Sequence, residues 1–87
     1  MIRTVEFLET IGNDDFEYKK GKRYCAIIDA SGENLKNIIF VRQPNSPKNE
    51  NWWTSFPKNN LGTIFKILER EDLSLLEREE EDRLMQL

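Results

Sequence analysis

Five short segments with apolar side chains, separated by turn-forming residues about every ten positions, constrain the fold of this chain more than any other feature. Val5 and Phe7 alternate with Glu6 in the first segment, as in a strand with one buried face. The third segment contains Ile38-Ile39-Phe40-Val41 and is rich in β-branched residues, which favour strands. The five segments are 4–9, 23–29, 35–42, 51–56 and 63–68. Strands of this length and spacing predict a mainly β fold, a five-stranded small barrel.

The stretch between the first two segments predicts an arm that folds over the barrel and then enters its second strand. Phe16 and Tyr18 are apolar rings at every second position, and two lysines, Gly21 and two further cations follow. Period-two alternation is typical of extended chain, and Gly21 is the residue that can turn the chain with a positive φ.

The last part of the chain changes from strand to helical spacing. Asp72 can cap a helix, and Ser74 with Glu77 supplies an alternative capping box. A stripe of leucines at helical spacing comprises Leu73, Leu76, Leu84 and Leu87. We therefore divide the chain into a barrel, residues 1–69, and an acidic C-terminal α-helix, residues 70–87. The helix is predicted to dock on the barrel by its first turn and to stand away from it beyond Glu77.

Composition argues against catalysis and against a metal centre. The chain has no histidine and one cysteine, Cys25, so it lacks the commonest general base and the ligands of a zinc site. We predict a protein that is not an enzyme and that uses no cofactor and no metal, with Cys25 as a small buried hydrophobe. A single cysteine predicts a cytoplasmic location, and no apolar run approaches the roughly 18 residues of a membrane helix.

The net charge of −3 is unevenly distributed. Residues 1–68 contain ten Lys and Arg against eight Asp and Glu, a net charge of +2. Residues 69–87 contain three against eight, a net charge of −5. A faintly basic body with a strongly acidic tail indicates two surfaces of opposite character.

The arm and two later motifs resemble the Src-homology-3 family of small barrels. The run Asp14–Arg23 matches the family's acidic-tipped loop, alternating apolar residues and Lys-Lys-Gly. Trp52-Trp53 matches its Trp-Trp pair, and Pro57-Lys58-Asn59 resembles its Pro-x-Asn element. The resemblance covers about residues 4–68 and implies a five-stranded SH3-like barrel.

The family's groove for proline-rich peptides is not retained in this sequence. Glu6 and Leu8 occupy the positions of the two first-strand tyrosines, and no aromatic residue follows Asn59 until Phe65. Of the aromatic side chains with which the family binds proline-rich peptides, only the first tryptophan of the pair is present here, as Trp52. The resemblance therefore implies the architecture, while phage and other prokaryotic members use the same barrel as a platform for other contacts.

The acidic run of the tail is the leading candidate for partner binding. Five carboxylates along one helix can mimic the phosphate charge of a nucleic acid and occupy a basic groove on another protein. The apolar chain end is either a partner anchor or homodimer contact, or a helix end folded back on the barrel. The predicted partner-binding residues are Trp52, Glu77, Glu79, Glu80, Glu81, Asp82, Leu84 and Leu87.

These residues predict a protein-binding module, and the composition, rich in Asn, Lys, Ile and Glu, is similar to that of phage or mobile-element products. The expected partner is a nucleic-acid-binding host protein, which the chain would inhibit. The other interpretation of the carboxylates is an ordinary solvent-exposed helix face.

The alternative function is a nucleic-acid-binding barrel. In such a site the cations bind the phosphates of a nucleic acid, and the aromatic rings between them stack on its bases. The residues of this alternative site are Lys19, Lys20, Lys22, Arg23 and Tyr18. If the arm is instead a solvated turn, its rings belong to the core.

Overall fold

The computed structural model describes residues 1–86 as a curled antiparallel sheet with one C-terminal helix. The strands are β1 (Ile2–Phe7), β2 (Ile11–Gly12), β3 (Glu17–Tyr18), β4 (Arg23–Ile27), β5 (Ile38–Arg42), β6 (Trp53–Pro57) and β7 (Phe65–Ile67). The helix α1 is Leu75–Met85, and short 3-10 turns occupy Lys58–Asn60 and Arg70–Asp72.

The main sheet has five strands in the order β6-β5-β4-β1-β7. Neighbouring strands are antiparallel, so the sheet curls into a half-barrel that is compatible with a small SH3-like barrel. This confirms the predicted fold class and all five predicted strands. β5 begins at Ile38 rather than Leu35 because tight turns precede it: the Leu35 N–H donates to Gly32 O and the Ile38 N–H to Leu35 O, both at 3.1 Å.

The arm is a two-stranded hairpin, β2–β3, in which Ile11 pairs with Tyr18. Gly12 is required there, since a Cβ on it would lie 2.6 Å from Glu17 Cα. Gly21 has a φ of +82°, as the sequence predicts. The hairpin carries the Tyr18 ring into the interior, where its hydroxyl donates to Val41 O at 2.9 Å.

A cluster of aromatic rings forms the centre of the core. Phe7 stacks on Tyr18 with ring centroids 4.6 Å apart, and it contacts Phe56 and Phe65 at tilted or edge-on angles. Alternate strand residues place apolar side chains on the inner face of the sheet around these rings. The buried core residues are Val5, Phe7, Tyr18, Ala26, Ile28, Ile39, Val41, Phe56 and Phe65.

The two tryptophans differ less in solvent exposure than strict alternation of side chains along a strand predicts. Trp52 is 45% exposed, whereas Trp53 is half-buried on the outer face and lies outside the core. Cys25 is also half-buried rather than buried. Both side chains belong to the outer face, where the sheet is covered only in part.

The helix α1 begins with the capping box predicted as the alternative to Asp72. The Glu77 N–H donates to Ser74 Oγ at 3.2 Å, and the Ser74 N–H donates to Glu77 Oε1 at 2.8 Å. The prediction that the helix stands away beyond Glu77 is wrong, because Glu81 and Leu84 are buried. Both a polar contact, the Thr4–Glu81 hydrogen bond, and the buried Leu84 side chain hold these later turns on the sheet.

The predicted leucine stripe is only partly formed. Leu73 and Leu84 are buried, but Leu76 is 78% exposed, since it lies about a quarter turn from the buried side of α1. Leu87 lies outside the residues that the structure describes.

Tyr18 generates a test of the packing of the arm. Burial raises the pKa of Tyr18 to about 12. Replacing Tyr18 with Phe removes the hydrogen bond to Val41 O, so we expect the free energy of unfolding to fall by about 1 kcal/mol in urea titrations at neutral pH. A phenol whose pKa is raised by folding stabilises the fold below its unfolded value near 10 and loses that effect as the pH rises towards 12. The difference between wild type and Y18F should therefore shrink over that range.

Tyr24→Phe is the matched control, because the Tyr24 hydroxyl only accepts an exposed hydrogen bond from the Lys19 N–H. A loss of stability in Y24F as large as that in Y18F would contradict the assignment of Tyr18 as the buried anchor of the arm.

Candidate functional site

The candidate site is the junction between α1 and the outer face of the sheet. Strand register places Thr4 opposite Cys25 and Glu6 opposite Arg23 on that face. The helix lies across these positions and contacts β1. The part of the helix beyond Glu77, predicted to stand away from the barrel, therefore lies on it.

A buried carboxylate holds the middle of the helix to β1. Glu81 is 3% exposed, and its Oε2 accepts a hydrogen bond of 2.7 Å from the buried Thr4 hydroxyl. Its Oε1 accepts from Arg70 Nη1 at 3.3 Å. Arg70 Nη2 also donates to both Asp82 oxygens at 3.0 Å, and the ion pairs raise the pKa of Arg70. Both oxygens of Glu81 are thus satisfied, as a buried charge requires.

A second set of ion pairs fixes the beginning of the helix. Arg23 Nη1 donates to Glu77 Oε1 at 3.0 Å and Arg23 Nε donates to Glu6 Oε1 at 3.3 Å. These hydrogen bonds raise the pKa of Arg23. Partial burial raises the pKa of Glu77, but the Ser74 N–H and the Arg23 guanidinium together lower it below its ordinary value of 4.5.

An open cleft of about 190 Å³ lies between the helix, β4 and the loop that follows β5. Arg42 holds this loop by donating to Asn51 Oδ1 at 2.7 Å and to Pro47 O at 3.0 Å. Both charged and apolar groups line the cleft. They belong to Thr4, Arg23, Tyr24, Cys25, Arg42, Gln43, Pro44, Glu77 and Glu80.

The Cys25 thiol in this cleft is unsuited to nucleophilic chemistry. Burial, followed by the nearby carboxylates of Glu80 and Glu81, raises its pKa to about 12. A thiol with this pKa stays protonated at neutral pH, whereas the thiolate is the reactive form.

Four of the five predicted carboxylates form ion pairs within the chain. Glu77 contacts Arg23, Glu81 and Asp82 contact Arg70, and Glu80 contacts Arg83. Glu79 is exposed and has no ion pair with any of residues 1–86. Leu84, a predicted partner anchor, is buried in the free chain. Glu77 and Glu81 thus join the helix to the barrel through Arg23 and Thr4. The ion pairs of Asp82 and Glu80 stay within residues 70–83.

Sequence reasoning missed the most exposed apolar pair in the helix, Leu75 and Leu76, which are 70% and 78% exposed. Leu75, Glu79 and Asp82 follow i, i+4, i+7 spacing on the side opposite Glu81 and Leu84. The capping box at Ser74 was the signal in the sequence that could have revealed this exposure. It places Leu75 and Leu76 in the first turn of the helix, before Glu77, which is the first helix residue on the side that faces the sheet.

The residues of the basic arm are only partly available. Lys19, Lys20 and Lys22 are exposed, and none forms an ion pair with residues 1–86. Arg23 is engaged by two carboxylates, and Tyr18 is 1% exposed in the core. The predicted combination of cations with a stacking ring is therefore not assembled on one surface.

Trp52 lies immediately before β6, at the end of the loop that follows β5. Its indole Nε1 donates to Glu50 Oε2 at 3.1 Å, and its backbone N–H donates to Ser46 Oγ. The exposed ring is thus held by the loop rather than by the acidic surface.

Comparisons with protein-family models, with curated proteins and with solved structures gave no match. Within residues 1–86, no helix has the length and apolar character needed to cross a membrane. The same part of the chain contains no group of three or more His, Cys, Asp or Glu side chains that could hold a metal ion.

Glu81 and Asp82 provide a matched pair for testing the junction, because both contact Arg70. Glu81→Ala leaves the buried Thr4 hydroxyl without its acceptor, so we expect a loss of about 2 kcal/mol in the free energy of unfolding. Asp82→Ala removes a half-exposed ion pair and should cost less than about 1 kcal/mol. Chemical denaturation of both variants measures the difference. Equal losses would contradict the assignment of Glu81 as the anchor.

The lowered pKa of Glu77 predicts an acid-sensitive contact. A carboxyl group whose pKa is lowered by folding stabilises the fold above its unfolded pKa, and that effect is lost as the pH falls through the folded value. Glu77→Gln keeps a capping-box residue but removes the charge. The difference in unfolding free energy between wild type and E77Q should shrink between about pH 6 and about pH 3. A difference that stays constant over this range would show that the Glu77 charge does not contribute.

Proposed function

We propose that this chain is a non-catalytic protein-binding module whose contact surface is the outward side of α1. Exposure of Leu75 and Leu76, at 70% and 78%, is the observation that supports this proposal. Adjacent exposed leucines on an ordered helix form an apolar patch, and such patches are typical of protein contacts. The carboxylates of Glu79 and Asp82 lie beside the patch on the same side of the helix.

The chemistry of this surface defines the partner it would fit. Two leucines require an apolar pocket, and neighbouring carboxylates favour a pocket with basic groups at its rim. Helix-in-groove recognition uses this arrangement, in which apolar anchors enter the groove and charges orient the helix. A basic nucleic-acid-binding protein is the partner class that matches, as the sequence also predicts.

A finer proposal is that the chain belongs to a phage or mobile element, is an SH3-like barrel by descent, and inhibits a host nucleic-acid-processing protein. In this form the helix would present Glu79 where the partner expects a phosphate, and Asp82 would exchange its ion pair with Arg70 for a basic group of the partner. Their separation of three residues, about 4.5 Å along the axis, is of the order of the spacing between phosphates. The pairing of Glu77 and Glu81 with the barrel restricts the mimic to these outward groups.

A second candidate function is nucleic-acid binding through the arm. Exposure of Lys19, Lys20 and Lys22 favours this function. The carboxylates of Glu77 and its neighbours, which contact the arm through Arg23, would reduce its positive potential. Because no exposed ring accompanies these lysines, binding would depend on phosphate contacts and fall steeply with salt. Fluorescence anisotropy with a labelled single strand, at low and at physiological salt, separates this function from the first.

We expect Leu75→Ser with Leu76→Ser to abolish capture of the partner from a bacterial lysate, because burial of each leucine contributes about 2 kcal/mol. Captured proteins are identified by mass spectrometry after nuclease treatment. Leu35→Ser is the control, since Leu35 is an exposed leucine in a turn away from the helix. Retention of the same proteins by L75S/L76S would overturn the helix surface as the contact.

A charge variant separates the finer proposal from the general one. Glu79→Gln should weaken capture by at least about tenfold if the partner's basic groove is the target, because Glu79 is exposed and has no ion pair within residues 1–86. Capture that depends on the leucines but is unaffected by E79Q would support protein binding and remove the nucleic-acid mimic.

A further inference from the structure

Arg42 is a half-buried cation that has no counter-ion within residues 1–86. Its Nε donates to Asn51 Oδ1 at 2.7 Å, and its Nη2 donates to Pro47 O at 3.0 Å and to Glu50 O at 2.9 Å. All three acceptors are amide oxygens and carry no charge. The two N–H groups of Nη1 have no acceptor in the same part of the chain. A cation partly withdrawn from water is costly without a counter-charge, so Arg42 fits an anion from outside the chain.

The Arg42 side chain lies where two depressions in the outer surface meet. One is the cleft of about 190 Å³ between the helix, β4 and the loop that follows β5. The other is wider, about 550 Å³, and Ser46, Lys48 and Arg83 line it. Arg42 and Glu80 line both depressions, so the two adjoin. We call the combined surface the Arg42 groove.

The Arg42 groove carries an excess of positive charge. Four cations and two carboxylates line it. Each carboxylate already pairs with an arginine of the same groove: Glu77 with Arg23, and Glu80 with Arg83. Like Arg42, Lys48 forms no ion pair within residues 1–86. Two positive charges in the wider depression are therefore left for a ligand.

The other end of the groove is less polar and smaller. Tyr24, Cys25 and Pro44 line the cleft but not the wider depression. The Cys25 thiol is protonated at neutral pH and adds no charge there. Ordinary ligand pockets have volumes of about 300 to 1,000 Å³, so this cleft holds only part of a ligand, such as a single ring. A proline ring and a tyrosine ring are suitable walls for an aromatic group.

Hydrogen bonds fix the loop wall of the groove before any ligand binds. Ser46 Oγ donates to Gln43 O at 2.7 Å, and the Trp52 N–H donates to Ser46 Oγ at 3.1 Å. The three hydrogen bonds of Arg42 hold the same loop from the strand side. A wall that is already ordered loses less entropy on binding, which favours affinity even for a small ligand.

We propose that the Arg42 groove binds a small phosphate monoester that carries an aromatic ring. The phosphate would lie against Arg42 and Lys48, and the ring would occupy the cleft beside Tyr24 and Pro44. A phosphate monoester has a charge close to −2 at neutral pH, which matches the two unpaired cations, whereas a carboxylate supplies one charge. A guanidinium binds phosphate oxygens through paired N–H groups, which Nη1 of Arg42 offers, and a lysine adds a point charge.

Phenyl phosphate added to the full chain, followed by NMR, tests the proposal without altering the protein. We expect saturable binding with a dissociation constant of about 1 mM or below. The amide signals of Cys25, Gln43 and Lys48 and the Nε–H signal of Arg42 should shift together. Inorganic phosphate, which lacks the ring, and benzoate, which lacks one charge, should each bind at least about fivefold more weakly.

Lys48→Gln removes one of the two charges at an exposed position, so the fold should be unaffected. The dissociation constant of K48Q for phenyl phosphate should rise by about threefold or more. Lys36→Gln is the matched control, because Lys36 is an exposed lysine without an ion pair within residues 1–86, in the turns before β5. It undergoes the same charge change and should bind like the wild type.

Several results would overturn the proposal. One is the absence of saturable binding up to about 10 mM phenyl phosphate. Others are shifts confined to the lysines of the arm, or an unchanged affinity in K48Q. Equal affinity for inorganic phosphate and phenyl phosphate would also overturn it, since the groove would then hold an adventitious ion only. None of these results depends on Leu75 or Leu76, so the proposed function is tested separately.

Discussion

The hydrogen bond from the Thr4 hydroxyl to the buried Glu81 carboxylate determines how the two parts of this molecule are arranged. A buried carboxylate is costly unless its oxygens are satisfied, and here Thr4 and Arg70 together satisfy both. Because Glu81 lies in the second turn of α1, its position fixes which side of the helix faces the sheet. The outward direction of Leu75 and Glu79, and hence the proposed contact surface, follows from it.

The charge asymmetry of the sequence has a structural role as well as a functional one. Arg23 of the basic body and Arg70 of the tail itself each bind carboxylates of the helix, so part of the acidic charge is neutralised within one chain. Exposed ion pairs contribute little individually, but a buried anchor flanked by several of them favours one orientation of the helix over others. What remains for a partner is a small surface of apolar and acidic groups. The arm retains three lysines, which are the basis of the alternative function.

Local patterns in the sequence predicted the barrel well. Period-two alternation, turn residues and the Ser74–Glu77 capping box depend on neighbours in the chain, and each was found where the pattern placed it. The position of the helix could not be predicted in this way, because it depends on Thr4 and Glu81, which are 77 positions apart. A glutamate in an acidic run is indistinguishable in sequence from its exposed neighbours.

The central claim is that α1 is a permanent part of the fold and presents a preformed surface. Native-state amide hydrogen exchange of the free chain at neutral pH tests it most directly, by comparing the amides of Glu81 to Met85 with those of the β4–β5 pair. If α1 is a permanent part of the fold, both groups exchange with the same free energy, through global unfolding. Rapid exchange of the helix while the sheet stays protected would contradict it, and would mean that the acidic tail leaves the barrel in solution.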